Sequence, residues 1–227
     1  MFDLSTDWAD TLNLLAHELR SPASVIGGYA RLLAQDRLPA EDRQRALGKI
    51  GEAAGTVAAI GRQAESLAHW LTPEARGPAT PVALLTLLDQ AIARTSSPVR
   101  PAIDAALADE AAIDCLDADA LAAAIGAVID DVAASAPGEP LAAVVRAGAS
   151  ARLAVGPEAR LDDLRAATPE PDPDLLRDTR GLRLALAVAL SVVAAHGGLI
   201  WRIGGPRRAI GISLPWAGPS RVETRIV

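Results

Sequence analysis

Aromatic side chains are scarce: they make up 3% of the 227 residues, with a single Phe and a single Tyr. Any core must therefore be aliphatic, and with half of all residues apolar there is enough material for a sizeable one. Cysteine is almost absent. Cys115 alone excludes an internal disulfide and a thiolate metal cluster, and suits a reducing cytosol. Lysine is also nearly missing; Lys49 is the only one, and arginine carries the remaining positive charge. With alanine so abundant, that pattern reads as genomic compositional bias rather than function. A net charge of −6 argues against a nucleic-acid footprint. Long uninterrupted apolar runs are missing too. The longest, Leu184 to Ile200, holds Ser191 and His196 and follows Arg183, which predicts a buried helix and no membrane span. The first residues are acidic and polar, so no secretory signal is expected.

What is present begins with two amphipathic periods. Trp8, Leu12, Leu15, Leu19, Pro22, Ile26, Tyr29 and Leu33 repeat at alternating spacings of four and three, the pattern of a helix packed in a bundle. Asp36 to Glu41 reads as a short connection with a helix restart. Ala46, Ile50, Ala53, Val57, Ile60, Ala64, Leu67 and Leu71 then repeat the same spacing, with Gly48, Gly51, Gly55 and Gly61 nearby. Two such helices cannot enclose a core alone, so a homodimer forming a four-helix bundle is expected. His17 lies off the first seam, and Ser21 and Ser24 continue along its side of the helix. A solvated surface histidine would also satisfy this placement. Pro22 removes a backbone donor inside the helix, but the seam continues to Leu33, which predicts a kink rather than a break. His69, beside Trp70 near the end of the second helix, reads as structural.

The whole string Leu14-Leu15-Ala16-His17-Glu18-Leu19-Arg20-Ser21-Pro22 resembles the phosphoacceptor motif of sensor histidine kinases. The resemblance implies that His17 carries a phosphoryl group. Neutral imidazole is a nucleophile near neutral pH, and its second ring nitrogen needs a partner that fixes the tautomer. In the family the adjacent acidic residue is that partner and base, here Glu18. The residue four positions after the histidine supports hydrolysis of the receiver's phosphate in many relatives. Here it is Ser21, where threonine or asparagine is commoner, so a phosphatase role does not follow. Arg20 and Ser24 are the expected partner-docking contacts.

Residues 73–81 are rich in proline and glycine and read as a linker after the hairpin of residues 1–72. Residues 82–216 read as a mixed domain, and residues 217–227 as a tail. Val82 to Arg94 suits a helix, and Pro101 to Cys115 could hold two short strands around Leu107 to Glu110. Asp117-Ala118-Asp119 opens a long helix ending near Gly138. Leu141 to Val145 and Arg152 to Val155 form a hairpin, and strands are expected near Leu199 to Ile203 and Ala209 to Leu214. Pro-Glu-Pro-Asp-Pro at 169–173 is a loop, and no solenoid repeat is present.

This order resembles the ATP-binding domain of histidine kinases. Gly181-Leu182-Arg183-Leu184 followed by Ala195-His196-Gly197-Gly198-Leu199 carries the likeness, with Asp117 to Leu121 as the opening of the nucleotide-site helix. His196 is expected to be a helix-end residue beside a cap glycine rather than a second acceptor. Relatives place asparagines for Mg²⁺ where this chain has Ala127 and Asp131, although an aspartate can also ligate a hard cation. The Asp-x-Gly-x-Gly that reads adenine is replaced by Val155-Gly156-Pro157-Glu158-Ala159, leaving Gly156. Leu161 to Arg180 lacks the lid's phenylalanine. The phosphate-binding glycine turn keeps Gly181, but Arg183 stands at its third glycine. An arginine could still bind phosphate by charge; the simpler reading is a degenerate nucleotide site.

The resulting expectation is an α+β chain: an antiparallel helical hairpin that dimerises, followed by an ATPase-like α/β sandwich. The resemblance implies a cytoplasmic histidine phosphotransferase relaying phosphoryl groups between His17 and aspartates of response-regulator receiver domains. No cofactor or metal is expected on this chain, Mg²⁺ being supplied at the receiver. An autophosphorylating kinase with a divergent ATP·Mg²⁺ site, or a non-catalytic receiver-binding dimer, stays open.

Overall fold

In the computed structural model, residues 4–35, 38–72, 78–95, 97–103, 112–146, 148–170, 184–204 and 208–217 are described. The chain divides into two units: Met1–His69 with Leu176–Val188, and Trp70–Leu175 with Ala189–Val227.

The first unit is a helical hairpin of α1 (Leu4–Ala34) and α2 (Ala40–Leu71). Its inward face follows the alternating seams. On α2, Ala46, Ala53, Ile60 and Leu67 are buried, while Ile50, Val57, Ala64 and Leu71 are half-buried. On α1, Pro22 is buried and Leu15, Leu19, Ile26, Tyr29 and Leu33 are half-buried. Leu12 departs from this pattern at 57% exposed, and Leu47 on α2 is 50% exposed. Trp8 lies outside the described side chains. Helix α1 runs unbroken through Pro22, even though proline offers no N–H to the carbonyl of Glu18 one turn back. Helix α2 starts with Arg43 N–H donating to Pro39 O at 2.9 Å. Acidic Glu41 and Asp42 occupy its first turn, as the helix dipole favours.

The second unit is built on a five-stranded sheet in the order β2-β4-β5-β7-β6. Its strands are β2 (Val99–Ile103), β4 (Leu141–Arg146), β5 (Ala151–Pro157), β6 (Leu199–Arg202) and β7 (Ile210–Leu214). Only β2 and β4 are parallel; the other pairs are antiparallel. A separate antiparallel pair joins β1 (Thr80–Ala83) to β3 (Ala112–Cys115), with Thr80 opposite Cys115. Strand β1 thus begins inside the proline-rich stretch. The segment of residues 104–111, where short strands were expected around Leu107 to Glu110, lies outside the described residues.

Strand β4 is buried from Leu141 to Val145, so both faces of the sheet are covered. On one face Ala142, Val144 and Ala154 cluster with Leu164 and Ala209. Leu164 belongs to α5 (Leu161–Ala166), a short helix with no counterpart among the elements expected from sequence. The alternate residues Ala143, Val145, Leu153 and Val155 are buried on the other face, where α4 (Ala118–Ser135) packs on β5. Asp117 caps α4, its side chain accepting from Ala120 N–H at 2.9 Å. Helix α3 (Leu84–Arg94) lies against α4, with Gly126 of α4 facing Ala91 O of α3. Helix α6 (Leu184–Ala195) is almost wholly apolar, as the sequence predicts for a buried helix.

Candidate functional site

The outward face of α1 is set by what its inward face buries. With Pro22 turned in, Ala16, His17, Arg20, Ser21, Ala23 and Ser24 are all exposed. His17 therefore presents its imidazole to solvent, with Ser21 one turn along. Ser24 Oγ donates to Arg20 O at 2.8 Å, so its hydroxyl proton is engaged within the helix. Glu18 points elsewhere. It is half-buried, and its Oε1 accepts the Leu184 N–H at 2.8 Å. A neutral imidazole held on such a face has one bare ring nitrogen, an in-line nucleophile for phosphorus when a partner presents it.

The positions expected to form the nucleotide site have different surroundings. Asp131 on α4 is 5% exposed, and Arg208 Nε lies 2.9 Å from its Oδ2. The carboxylate nearest in sequence to the place of a metal-binding asparagine is thus already matched by a guanidinium of the chain. Ala127 is half-buried on the same helix and brings no donor. Gly156 lies within β5, where a Cβ would sit 2.8 Å from Ala209 Cβ and 2.9 Å from Leu164 Cδ2. Its smallness serves the seating of α5 on the sheet. Gly181 and Arg183 lie outside the described residues.

The two histidines outside the acceptor motif have different settings. His69 is exposed near the end of α2. His196 is buried just past α6, with Nδ1 2.7 Å from Val192 O and Nε2 accepting the Leu116 N–H at 3.1 Å. A carbonyl at Nδ1 and an N–H at Nε2 require the neutral tautomer with its proton on Nδ1. Gly197, at φ +70°, and Gly198 close the helix behind it, their amides donating to Ala194 O at 3.0 Å and Val193 O at 2.9 Å. His196 is therefore a helix-end residue with both nitrogens used, and the Trp70 ring lies against it at 5.6 Å between centroids. Cys115 Sγ approaches Nε2 at 3.7 Å, and burial pushes this thiol up from its ordinary range, away from thiolate chemistry.

Two partners in these sites escaped the sequence reading. Nothing in the sequence around Arg208 announces its return to Asp131, and nothing at Leu184 announces a bond to Glu18. Both pairings join residues far apart in the chain, and only the tertiary structure brings them together.

No family model matches the sequence, and no curated protein does. Among solved structures, the chain is similar to the histidine kinase AdeS of Acinetobacter baumannii, with a TM-score of 0.64 and 16% identity over 89% of this chain and 98% of that one. It is also similar to full-length ShkA in complex with AMPPNP, with a TM-score of 0.54 and 19% identity over 92% of this chain and 46% of ShkA. The chain spans less than half of ShkA. At these identities the likeness is one of fold: the helical hairpin and mixed α/β sheet are those of a histidine kinase catalytic core.

Proposed function

We propose that this chain is a phosphotransfer protein of two-component signalling, relaying phosphoryl groups between His17 and receiver-domain aspartates without using ATP. The observation that carries the reading is the exposed His17, off the buried seam of α1 and within the sequence of the acceptor motif with Glu18, Ser21 and Pro22. In the forward step, the bare nitrogen of His17 attacks the phosphorus of an aspartyl phosphate on a receiver. The P–N bond forms as the P–O bond breaks, and the aspartate leaves as a carboxylate. The N–H proton of the ring's second nitrogen is then lost to a base, the role that the acceptor motif gives to Glu18. The reverse step delivers the same phosphoryl group to a second receiver. This chain supplies position and a docking face, including Arg20; the receiver supplies Mg²⁺ and the aspartate.

Several features support transfer without nucleotide. Asp131 is neutralised by Arg208 rather than left open to a cation. Gly156 is committed to packing under Leu164. Ala127 offers no ligand. These residues do not fit an ATP·Mg²⁺ site of the family's kind. The sandwich then serves stability and docking. A homodimer through the hairpin is part of the reading, since it would cover Leu12 and Leu47, which one chain leaves exposed. Among the described residues no helix is long and apolar enough to cross a membrane, which suits a cytoplasmic role.

The test sets two phosphoryl sources side by side. The chain is incubated either with a receiver domain bearing a labelled aspartyl phosphate or with labelled ATP and Mg²⁺. Label on His17 from the receiver alone is the expected result, and His17→Gln should abolish it. Label from ATP alone would establish an autokinase instead. Tight receiver binding with no label from either source would leave a receiver-binding dimer.

A further inference from the structure

Helix α5 has six residues and is too short to cover the sheet face on which it lies. It packs on β4 and β5 and leaves the side towards the edge strand β2 open. A cleft of about 770 Å³ results there, within the size range of small-molecule sites. All of its lining belongs to the second unit, on the sheet face turned away from α4. It is therefore separate from Ala127 and Asp131, which α4 carries.

Strand alternation decides what lines the cleft. Arg100 and Ala102 of β2 stand opposite Ala142 and Val144 of β4. Residues two apart share a face of a strand, so Arg146 continues the same row. Half-buried Ala102 and Leu161 give the cleft an apolar surface over buried Ala142 and Val144. Arginines mark both ends. At one end Arg100 Nη1 donates to Glu158 Oε1 at 2.7 Å. At the other Arg146 Nη1 donates to Arg165 O, and Arg165 Nη1 lies 3.7 Å from Asp162 Oδ1. The two ends are four residues apart along β4, roughly 13 Å.

We propose that this cleft is a binding site for a small organic carboxylate with an apolar body, its carboxylate held by Arg165 and its body lying on Ala102 and Leu161. The Arg165–Asp162 pair is long, and its carboxylate is wholly exposed. A surface pair of that kind holds its arginine only weakly, so an incoming anion can take the acid's place. A guanidinium presents a planar fork that matches a carboxylate with two parallel hydrogen bonds. Glu158 and Asp162 already line the cleft, and their negative charge disfavours a dianionic phosphate more than a singly charged carboxylate. The inference does not depend on the phosphotransfer reading.

The test uses the full chain and hexanoate as the probe, followed by amide NMR. Hexanoate should move the Ala102, Val144 and Arg165 amides saturably at millimolar concentration. Acetate has the charge without the body, and hexan-1-ol the body without the charge; neither should saturate in that range. Hexyl phosphate should bind more weakly than hexanoate. Arg165→Gln should weaken hexanoate about tenfold, the size of one lost charge-assisted hydrogen bond. Ala102→Leu should abolish binding by filling the cleft. Arg94→Gln serves as the control for general surface charge: Arg94 lies on α3, which packs against α4, and does not line the cleft. Its binding should be unchanged. Shifts that fail to saturate, or an Arg165→Gln chain that binds as the unmodified one does, would overturn the proposal. So would hexan-1-ol binding as tightly as hexanoate. Tighter binding of hexyl phosphate would overturn the choice of a carboxylate.

Discussion

Replacing Arg208 by methionine removes a guanidinium from beside the buried Asp131 carboxylate. The carboxylate is 5% exposed, and truncating one member of a buried ion pair typically destabilises by about 3–5 kcal/mol, because the other charge stays buried and uncompensated. The Arg208 side chain is 19% exposed, so water reaches the pair from one side and the lower end, about 3 kcal/mol, is expected. For a chain of this size that corresponds to a fall in Tm of roughly 6–12 °C. Three of the four tryptophans, Trp70, Trp201 and Trp216, belong to the second unit, so urea unfolding of a Trp8→Phe background followed by tryptophan fluorescence reports on that part of the molecule. The double variant Asp131→Leu with Arg208→Met removes both charges, and hydrophobic replacement of a buried pair is commonly neutral or stabilising. It should recover most of the loss. A cost below about 1 kcal/mol for Arg208→Met, the range of exposed pairs, would show that the carboxylate is solvated and open to a cation. The reasoning that the chain has filled its own metal position would then fail.

Other consequences are as direct. Leu47→Glu should dissociate the homodimer without unfolding the hairpin, since Leu47 is already half exposed in one chain; light scattering that finds a monomer in both proteins would remove the dimer from the mechanism. Gly211→Ala should destabilise the sheet by about 1–3 kcal/mol in chemical denaturation, because the new Cβ would overlap the Trp201 indole; an unchanged midpoint would contradict that packing. Burial raises the Cys115 pKa in the folded chain, so the neutral thiol's contribution is intact below the unfolded value of about 8.5 and is lost as pH rises towards the folded one. Cys115→Ala should therefore flatten the decline of stability above that pH, and parallel curves would rule the thiol out as its source.

The hairpin was legible in the sequence because its signal is local. Spacings of three and four pick out Ala46, Ala53, Ile60 and Leu67, and the structure buries these four. The exposed setting of His17 follows from the same periodicity. Helix α4, announced by Asp117, and the almost wholly apolar α6, closed by Gly197, were also legible from local signals. The sheet's hairpin of β4 and β5 was also readable, being a local pair. What escaped is either short or non-local. Helix α5 has six residues, too few to show a period, and is held by Leu164 against strands elsewhere in the chain. Strand β1 is disguised by Pro81, and its pairing with β3 crosses about thirty residues of chain. Gly156 reads in sequence as what is left of the adenine-site glycine motif, and only the structure shows that a Cβ there would meet Ala209 and Leu164. The Arg208–Asp131 and Leu184–Glu18 contacts depend on where the chain returns in space, which no window of residues records.

The most direct measurement is the identity of the phosphorylated atom. The unlabelled chain is mixed with a receiver domain charged by a small-molecule phosphodonor, with no nucleotide present, and followed by phosphorus NMR. A phosphoramidate resonance should appear, persist in base, vanish in acid once its nitrogen is protonated, and be absent in His17→Gln. A receiver that binds the chain and yet yields no phosphoramidate, or a resonance that survives in His17→Gln, would contradict the assignment of His17 as the relay residue.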